Sequence, residues 1–139
     1  MSRQRVLFLC TANSARSQMA EALLRHLAGD RYEACSAGTH PSQVHPMSIR
    51  VLKEAGVSTE SLSSTSIEDA LSGGPVAHAF AVCAAAAESC PVLVDAVGAI
   101  TLWPFNDPQT SGPEDEQLAS FRTTRDLIRA KLEAWLAEH

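Results

Sequence analysis

Val6-Leu7-Phe8-Leu9-Cys10-Thr11-Ala12-Asn13-Ser14-Ala15-Arg16-Ser17 decides the fold, because it passes from an apolar run through a polar loop into a helical pattern. Val6 to Leu9 are consecutively apolar, which fits a strand buried on both faces, as in a parallel sheet. Beyond the loop, Met19, Ala20, Leu23, Leu24 and Leu27 recur at helical spacing, and Gly29 supplies a C-terminal stop. The chain therefore opens strand, loop, helix.

The same alternation continues outward. Tyr32 to Ser36 reads as a second strand, and Ala37 to Ser42 as a loop. Pro46 suits the first position of a helix whose apolar face is Ile49, Leu52 and Ala55 and which Gly56 closes. Thr65 with Glu68, or Ser66 with Asp69, makes a capping box for a short helix ending near Gly73-Gly74. Ala77 to Val82 and Ala99 to Trp103 read as further strands, while Cys83 to Val97 is ambiguous. Leu118, Phe121, Ile128, Leu132, Trp135 and Leu136 mark a long C-terminal helix, with Glu114, Asp115 and Glu116 suited to the positive end of its dipole. Strands alternating with helices predict an α/β fold with a mainly parallel sheet. No repeat, linker or low-complexity tract interrupts the chain.

Size and charge narrow the function. The 139 residues fit a single domain spanning 1–139, since domains cluster at roughly 100–150 residues. A chain of this length folds without disulfides or structural metal. Sixteen acids against eleven bases give a net charge of −5, which argues against a nucleic-acid-binding face. An anion site must then make its positive potential locally. No apolar run is long enough to span a membrane, and Val6 to Cys10 is too short for a signal-peptide core, so a cytoplasmic protein is expected. In a reducing cytosol, Cys10, Cys35, Cys83 and Cys90 point to catalysis, redox chemistry or metal binding rather than a structural framework. Metal is disfavoured, because no CxxC pair occurs and the five histidines lack zinc spacing.

The loop itself carries the chemistry. Between a buried strand and a helix, the backbone N–H groups of Thr11, Ala12, Asn13, Ser14 and Ala15 can converge on an anion, and the helix N-terminus adds positive potential. That field is expected to depress the pKa of Cys10 and populate its thiolate. Arg16 offers a planar fork for two oxygens of a tetrahedral anion, and the Ser17 hydroxyl can hydrogen-bond the sulfur. The nucleotide-binding pattern G-x-x-x-x-G-K-[ST] is absent. The competing reading makes Cys10 a core cysteine ending a strand and Arg16 a solvated helix residue.

Cys10, five intervening residues, Arg16 and then Ser17 is the arrangement of cysteine phosphatases. More closely, Leu7 to Ala22 resembles the N-terminus of arsenate reductases built on the low-molecular-weight tyrosine phosphatase fold. The resemblance continues through Ser36-Ala37-Gly38, the Pro46 helix, Cys83 to Pro91 and Trp103 to Pro108. It implies a three-layer fold, a four-stranded parallel sheet flanked by helices, with the site at the C-terminal end of the first strand. It further implies that Cys10 is the nucleophile, Arg16 and the loop amides the oxyanion clamp, Ser17 a thiolate stabiliser, Asn13 the residue that orders the loop, and Asp107 the general acid. From spacing alone, Asp107-Pro108 opens a turn as readily as it donates a proton.

Cys83 and Cys90, with six residues between them, bear on reductase against phosphatase. A phosphatase needs only Cys10. In thioredoxin-coupled arsenate reductases, a second cysteine attacks the nucleophile–arsenic adduct and a third resolves the resulting disulfide; Cys83 and Cys90 match those two. The resemblance therefore implies a monomer that takes arsenate, with phosphate or sulfate as analogues, and binds no cofactor. Its electrons come from thioredoxin, itself reduced by NADPH through thioredoxin reductase. Glutathione with glutaredoxin, or a phosphatase activity, remain the alternatives; Gln109-Thr110 stand where that branch has tyrosines, and the chain holds only seven aromatics. Two departures stand out. Ala12 occupies a position often held by glycine, and the alanine run after Cys83 is less polar than usual. Some relatives bind potassium beside the loop; Asn13, Glu21, Ser36 and Ser63 match its ligand positions, but Thr65 replaces an acidic one, so no metal is expected.

Overall fold

The computed structural model describes residues 3–83 and 100–139. Within them run β1 (Gln4–Cys10), α1 (Arg16–Ala28), β2 (Tyr32–Gly38), α2 (Pro46–Glu54), α3 (Ile67–Ser72), β3 (His78–Ala81), β4 (Thr101–Leu102) and α4 (Glu114–Glu138). The sheet order is β2-β1-β3-β4 and every pairing is parallel. The α/β architecture expected from the alternation is therefore present. Cys90 and the alanine-rich stretch before it lie outside the described residues.

The sheet is strongest where the sequence is most apolar. Val6, Leu7 and Phe8 are fully buried, because β1 has a strand on either side and helices on both faces. Phe8, Phe80 and Trp103 stack in a row, with centroids 5.9 and 3.8 Å apart, and Trp135 of α4 meets Phe80 edge-on at 5.5 Å. Leu118, Phe121, Ile128 and Leu132 form the buried stripe of α4, at the helical spacing read from the sequence.

Helix ends follow local chemistry. Ser66, not Thr65, caps α3, its Oγ accepting from Asp69 N at 3.2 Å. Gly29 does close α1, although in the right-handed conformation (φ −63°). Its role is steric: a Cβ there would lie 2.5 Å from the Arg25 carbonyl oxygen. Among the described residues β4 is Thr101–Leu102, and Trp103 N carries the pairing on to Ala81 O at 2.8 Å; Ala99, where the expected strand begins, lies outside them. Cys35 sits half-buried beside the core, with its thiol on the Val6 carbonyl at 3.4 Å.

Candidate active site

The parallel register brings two chain ends together. Leu9 pairs with Ala81, and Val82 N donates to Leu9 O at 2.9 Å, so Cys10 and Cys83 leave neighbouring strands at the same height. Both thiols are buried and hydrogen-bonded to one another, and Thr11 Oγ1 lies 3.8 Å from Cys83 Sγ. Phe105 N continues the β3 side of the ladder onto Val82 O, and the segment carrying Asp107 follows. Arg16 Nη1 donates to Phe105 O at 2.8 Å and ties that segment to the first loop.

The loop's amides are aimed by what holds its carbonyls. Thr11 O accepts from His40 N, and Ala12 O from Ser42 N, Ser42 Oγ and Ser64 Oγ. Asn13 O accepts from Gln18 Nε2 at 2.9 Å, and Ser14 O from His45 N at 2.9 Å. In a trans peptide the N–H points opposite to the preceding carbonyl. With these carbonyls held on the outer side, the N–H groups of Ala12, Asn13, Ser14 and Ala15 turn to the inner side, a ready anion nest at the start of α1.

Asn13 explains how alanine is tolerated before it. The left-handed backbone falls on Asn13 (φ 48°), not on Ala12, and asparagine adopts it more easily than most residues. Its fully buried side chain is fixed at both ends: Oδ1 accepts from Thr65 N at 2.8 Å, and Nδ2 donates to Ser17 Oγ at 2.8 Å. Ser17 Oγ accepts from Asn13 and keeps its own O–H to donate; no hydrogen bond from it to Cys10 Sγ occurs among the described residues. The donor to that sulfur is the Thr11 amide.

Sequence reading missed two supports of the loop. Gln18 is fully buried in α1 and bridges Asn13 O and Ser63 O, both at 2.9 Å. Nothing in its spacing distinguishes it, since Glu21 and Arg25 lie on the same helix face. Gly38 passes so close that a Cβ would lie 2.6 Å from Thr11 O and 2.9 Å from Asn13 N. Gly38→Ala is expected to lower stability by about 1–3 kcal/mol, the usual range for overpacking, and to weaken anion binding with it. A thermal melt with and without sulfate checks this, and a wild-type response would remove Gly38 from the loop's support.

The Cys10 pKa is a correction to the sequence reading. It is raised, not depressed: the hydrogen bond with Cys83 contributes most and burial next, outweighing the Arg16 guanidinium and the Thr11 amide that act downward. The first of these comes from a residue far along the chain, which the loop motif alone does not reveal.

The potassium set of the resemblance does not fit here. Asn13 Oδ1, Asn13 O and Ser63 O are taken by Thr65 N and the Gln18 amide. Glu21 Oε1 accepts from Ser36 Oγ at 2.7 Å, while Oε2 is paired with Arg25 at 2.8 Å. Arg25 also reaches Ala34 O, so a guanidinium already supplies the positive charge. Gln18 Oε1 is a buried acceptor without a partner, and one oxygen does not make a hard-cation site. Among the described residues no group of three or more His, Cys, Asp or Glu is placed to hold a metal.

Asp107 is exposed, and its Oδ1 accepts from Gln109 N at 3.0 Å, the turn-opening bond expected of Asp-Pro. Together the segments give an anion nest, a thiol in it, a guanidinium at its rim, a second thiol in contact and a carboxyl group on the facing segment. Such a set can bind a tetrahedral oxyanion and attack its central atom.

Comparison with known proteins agrees with that geometry. The family model described as low molecular weight phosphotyrosine protein phosphatase matches residues 5–139. Arsenate reductases of Bacillus licheniformis and Bacillus subtilis are each 34% identical over 134 residues, covering 95% of this chain and 94% of theirs. Among solved structures, an arsenate reductase in the phosphate binding state superposes with TM-score 0.80 at 27% identity over 97% of this chain and 98% of that one. A low molecular weight protein tyrosine phosphatase from T. tengcongensis reaches 0.76 at 24% identity over 98% of this chain and 99% of its own, and shares the fold.

Proposed function

The chain belongs to the low molecular weight phosphotyrosine protein phosphatase family, and within it we propose that it reduces arsenate to arsenite. The observation that carries this is the contact between the buried Cys10 and Cys83 thiols at the floor of the loop. Phosphoester hydrolysis uses one sulfur, and a second thiol against it takes no part in that reaction, serving at most to protect the first from over-oxidation. Reduction needs two electrons, and a pair of touching thiols becoming a disulfide supplies them.

In the proposed reaction, arsenate enters the amide nest with two oxygens on Arg16. Cys10 sulfur attacks arsenic, its proton passing to an arsenate oxygen. Asp107 protonates the departing oxygen, which leaves as water. Cys83 sulfur then attacks Cys10 sulfur. The sulfur–arsenic bond breaks with its electron pair remaining on arsenic, which falls from As(V) to As(III) and leaves as arsenite. Cys90 attacks Cys83 and expels Cys10 as a thiolate, leaving a Cys83–Cys90 disulfide for the dithiol of thioredoxin. Thioredoxin draws its electrons from NADPH through thioredoxin reductase, and the enzyme carries no bound cofactor. Support for this donor is the presence of three cysteines in the order the relay needs, and arsenate reductase relatives at 34% identity.

An NADPH-coupled assay tests the reading. Oxidation of NADPH that requires arsenate, thioredoxin and its reductase together is expected. Activity only with glutathione and glutaredoxin would replace the donor, and hydrolysis of an aryl phosphate without arsenate reduction would replace the reaction. For Asp107→Asn, arsenate turnover is expected to fall about a hundredfold, within the usual range for a lost general acid, while the rise in melting temperature caused by sulfate stays. Equal turnover in the two proteins would leave Asp107 to the turn alone.

The family model favours a second activity at the same loop. The nest, Cys10 and Arg16 suffice for slow cleavage of a phosphate monoester. Gln109-Thr110, directly after Asp107-Pro108, offer no aromatic ring to grip a phosphotyrosine, so any such activity should be weak.

A further inference from the structure

We propose that the cavity between the start of β1 and the end of α1, ringed by Arg3, Arg5 and Arg25, is a second oxyanion site, built for the phosphate group of a small molecule. It lies at the far end of the sheet from the reacting thiols. Arg5 pairs with Glu33 near the first rung of the β1–β2 ladder, whereas Cys10 pairs with Gly38 at the last, about 16 Å away at the usual rise per strand residue. The cavity holds about 380 Å³, towards the lower end of the range for small-ligand pockets, and Glu33, Cys35 and Gly73 share its wall.

The guanidiniums are fixed by the protein itself. Arg5 is the most enclosed, its side chain 12% exposed: Nε donates to Glu33 Oε2 at 2.7 Å and Nη1 to Gly74 O at 2.8 Å. Arg25 Nη2 donates to Glu21 Oε2 at 2.8 Å and to Ala34 O at 3.0 Å. Arg3 Nη1 donates to Gly29 O at 2.7 Å. Each is thus tied to a backbone carbonyl, which sets its position without cancelling its charge. Side chains held in this way lose little further freedom when they grip an anion.

What the cluster leaves unmatched points to an anion. Glu21 and Glu33 set two negative charges against three positive ones, so one positive charge remains, in a chain of net charge −5. Arg25 Nη1 is buried without a partner, and among the described residues Arg5 Nη2 donates to nothing either. Folded proteins seldom leave a buried donor unpaired without a use for it. Gly73 keeps the space beside Arg5 open, since a Cβ there would lie 2.9 Å from Nη2. Paired guanidinium N–H groups match two oxygens of a phosphate, and its remaining oxygens accept from a second arginine. A phosphate bound here would join the start of β1, the end of α1 and the turn after α3. It would stabilise the native fold by mass action without meeting Cys10.

The test follows backbone amides by NMR in the isotope-labelled full chain carrying Arg16→Ala, which weakens anion binding at the catalytic loop. Inorganic phosphate and glycerol phosphate are titrated separately, against sodium chloride at equal ionic strength. The amides of Arg5, Ala34 and Gly73 are expected to shift along a saturating curve, and the tighter of the two ligands identifies the source of the phosphate group. Arg5→Gln should raise that Kd at least about tenfold, by removing a charged two-pronged donor. Arg3→Gln, on a side chain 46% exposed, should raise it about threefold and keeps the test decisive if Arg5→Gln fails to fold. Shifts confined to residues 11–17, no saturating shift with either ligand, shifts that chloride reproduces, or a Kd that the arginine substitutions leave unchanged would each overturn the proposal.

Discussion

Cys10→Ser is expected to bring arsenate reduction down to the uncatalysed background, a loss of at least about a thousandfold. Two physical losses combine. A hydroxyl is a far weaker nucleophile than a thiol, and among the described residues the groups acting on Cys10 are the Cys83 thiol, the Thr11 amide and the Arg16 guanidinium, none of them a general base. Serine also cannot form a disulfide, so even a slow arsenate ester would have no route for its electrons. The fold should survive, because the loop is held by its carbonyls and by Asn13 and Gln18 rather than by the sulfur. Sulfate should still raise the melting temperature of this variant. Arg16→Lys should fail nearly as badly, since an ammonium cannot hold two oxygens and the Phe105 carbonyl in one plane. Substantial turnover by Cys10→Ser, measured as arsenite formed per enzyme, would place the reacting sulfur elsewhere.

The second large effect separates the cysteines by the step at which chemistry stops. Cys83→Ser should bind and attack arsenate but hold the arsenic adduct on Cys10, with no arsenite released. Cys90→Ser should release one arsenite and accumulate a Cys10–Cys83 disulfide. Wild type allowed one turnover without reductant should hold a Cys83–Cys90 disulfide with Cys10 free. Peptide mapping after alkylation distinguishes the three. The hydrogen bond between the Cys10 and Cys83 thiols brings together the two sulfurs that the first disulfide joins. Because contact with Cys83 is the largest upward influence on the Cys10 pKa, Cys83→Ser should also lower it, and the pH dependence of Cys10 alkylation should move down accordingly. Wild-type turnover by Cys83→Ser with thioredoxin would rule out the relay.

Local chemistry was legible in the sequence, and contacts between distant segments were not. The Val6–Leu9 run, the α1 periodicity and the α4 stripe gave their elements because burial pattern and period coincide there. Pro46 and Ser66 marked helix starts for reasons contained within a few residues. The Cys10–Arg16 spacing likewise carries its own geometry, since a strand, a loop and a helix suffice to build the nest. The order β2-β1-β3-β4 is different: it sets Cys10 beside Cys83, and nothing within the loop motif announces that. That contact reversed the expected direction of the Cys10 pKa. The loop's outer supports, His40, Ser42, His45, Ser64 and Gln18, donate to its backbone carbonyls from scattered positions that leave no recognisable spacing. Ala12, a departure from the usual glycine, needs no positive φ, because the left-handed residue is its neighbour Asn13.

The central claim is that this chain stores the two electrons arsenate needs in its own thiols. Fully reduced protein, freed of reductant under anaerobic conditions, should be mixed with excess arsenate, and both arsenite and remaining thiols counted. The account predicts one arsenite for each chain, with the loss of two thiols per chain. Thiols unchanged and no arsenite formed, in protein that still cleaves an aryl phosphate, would contradict it and leave a phosphatase.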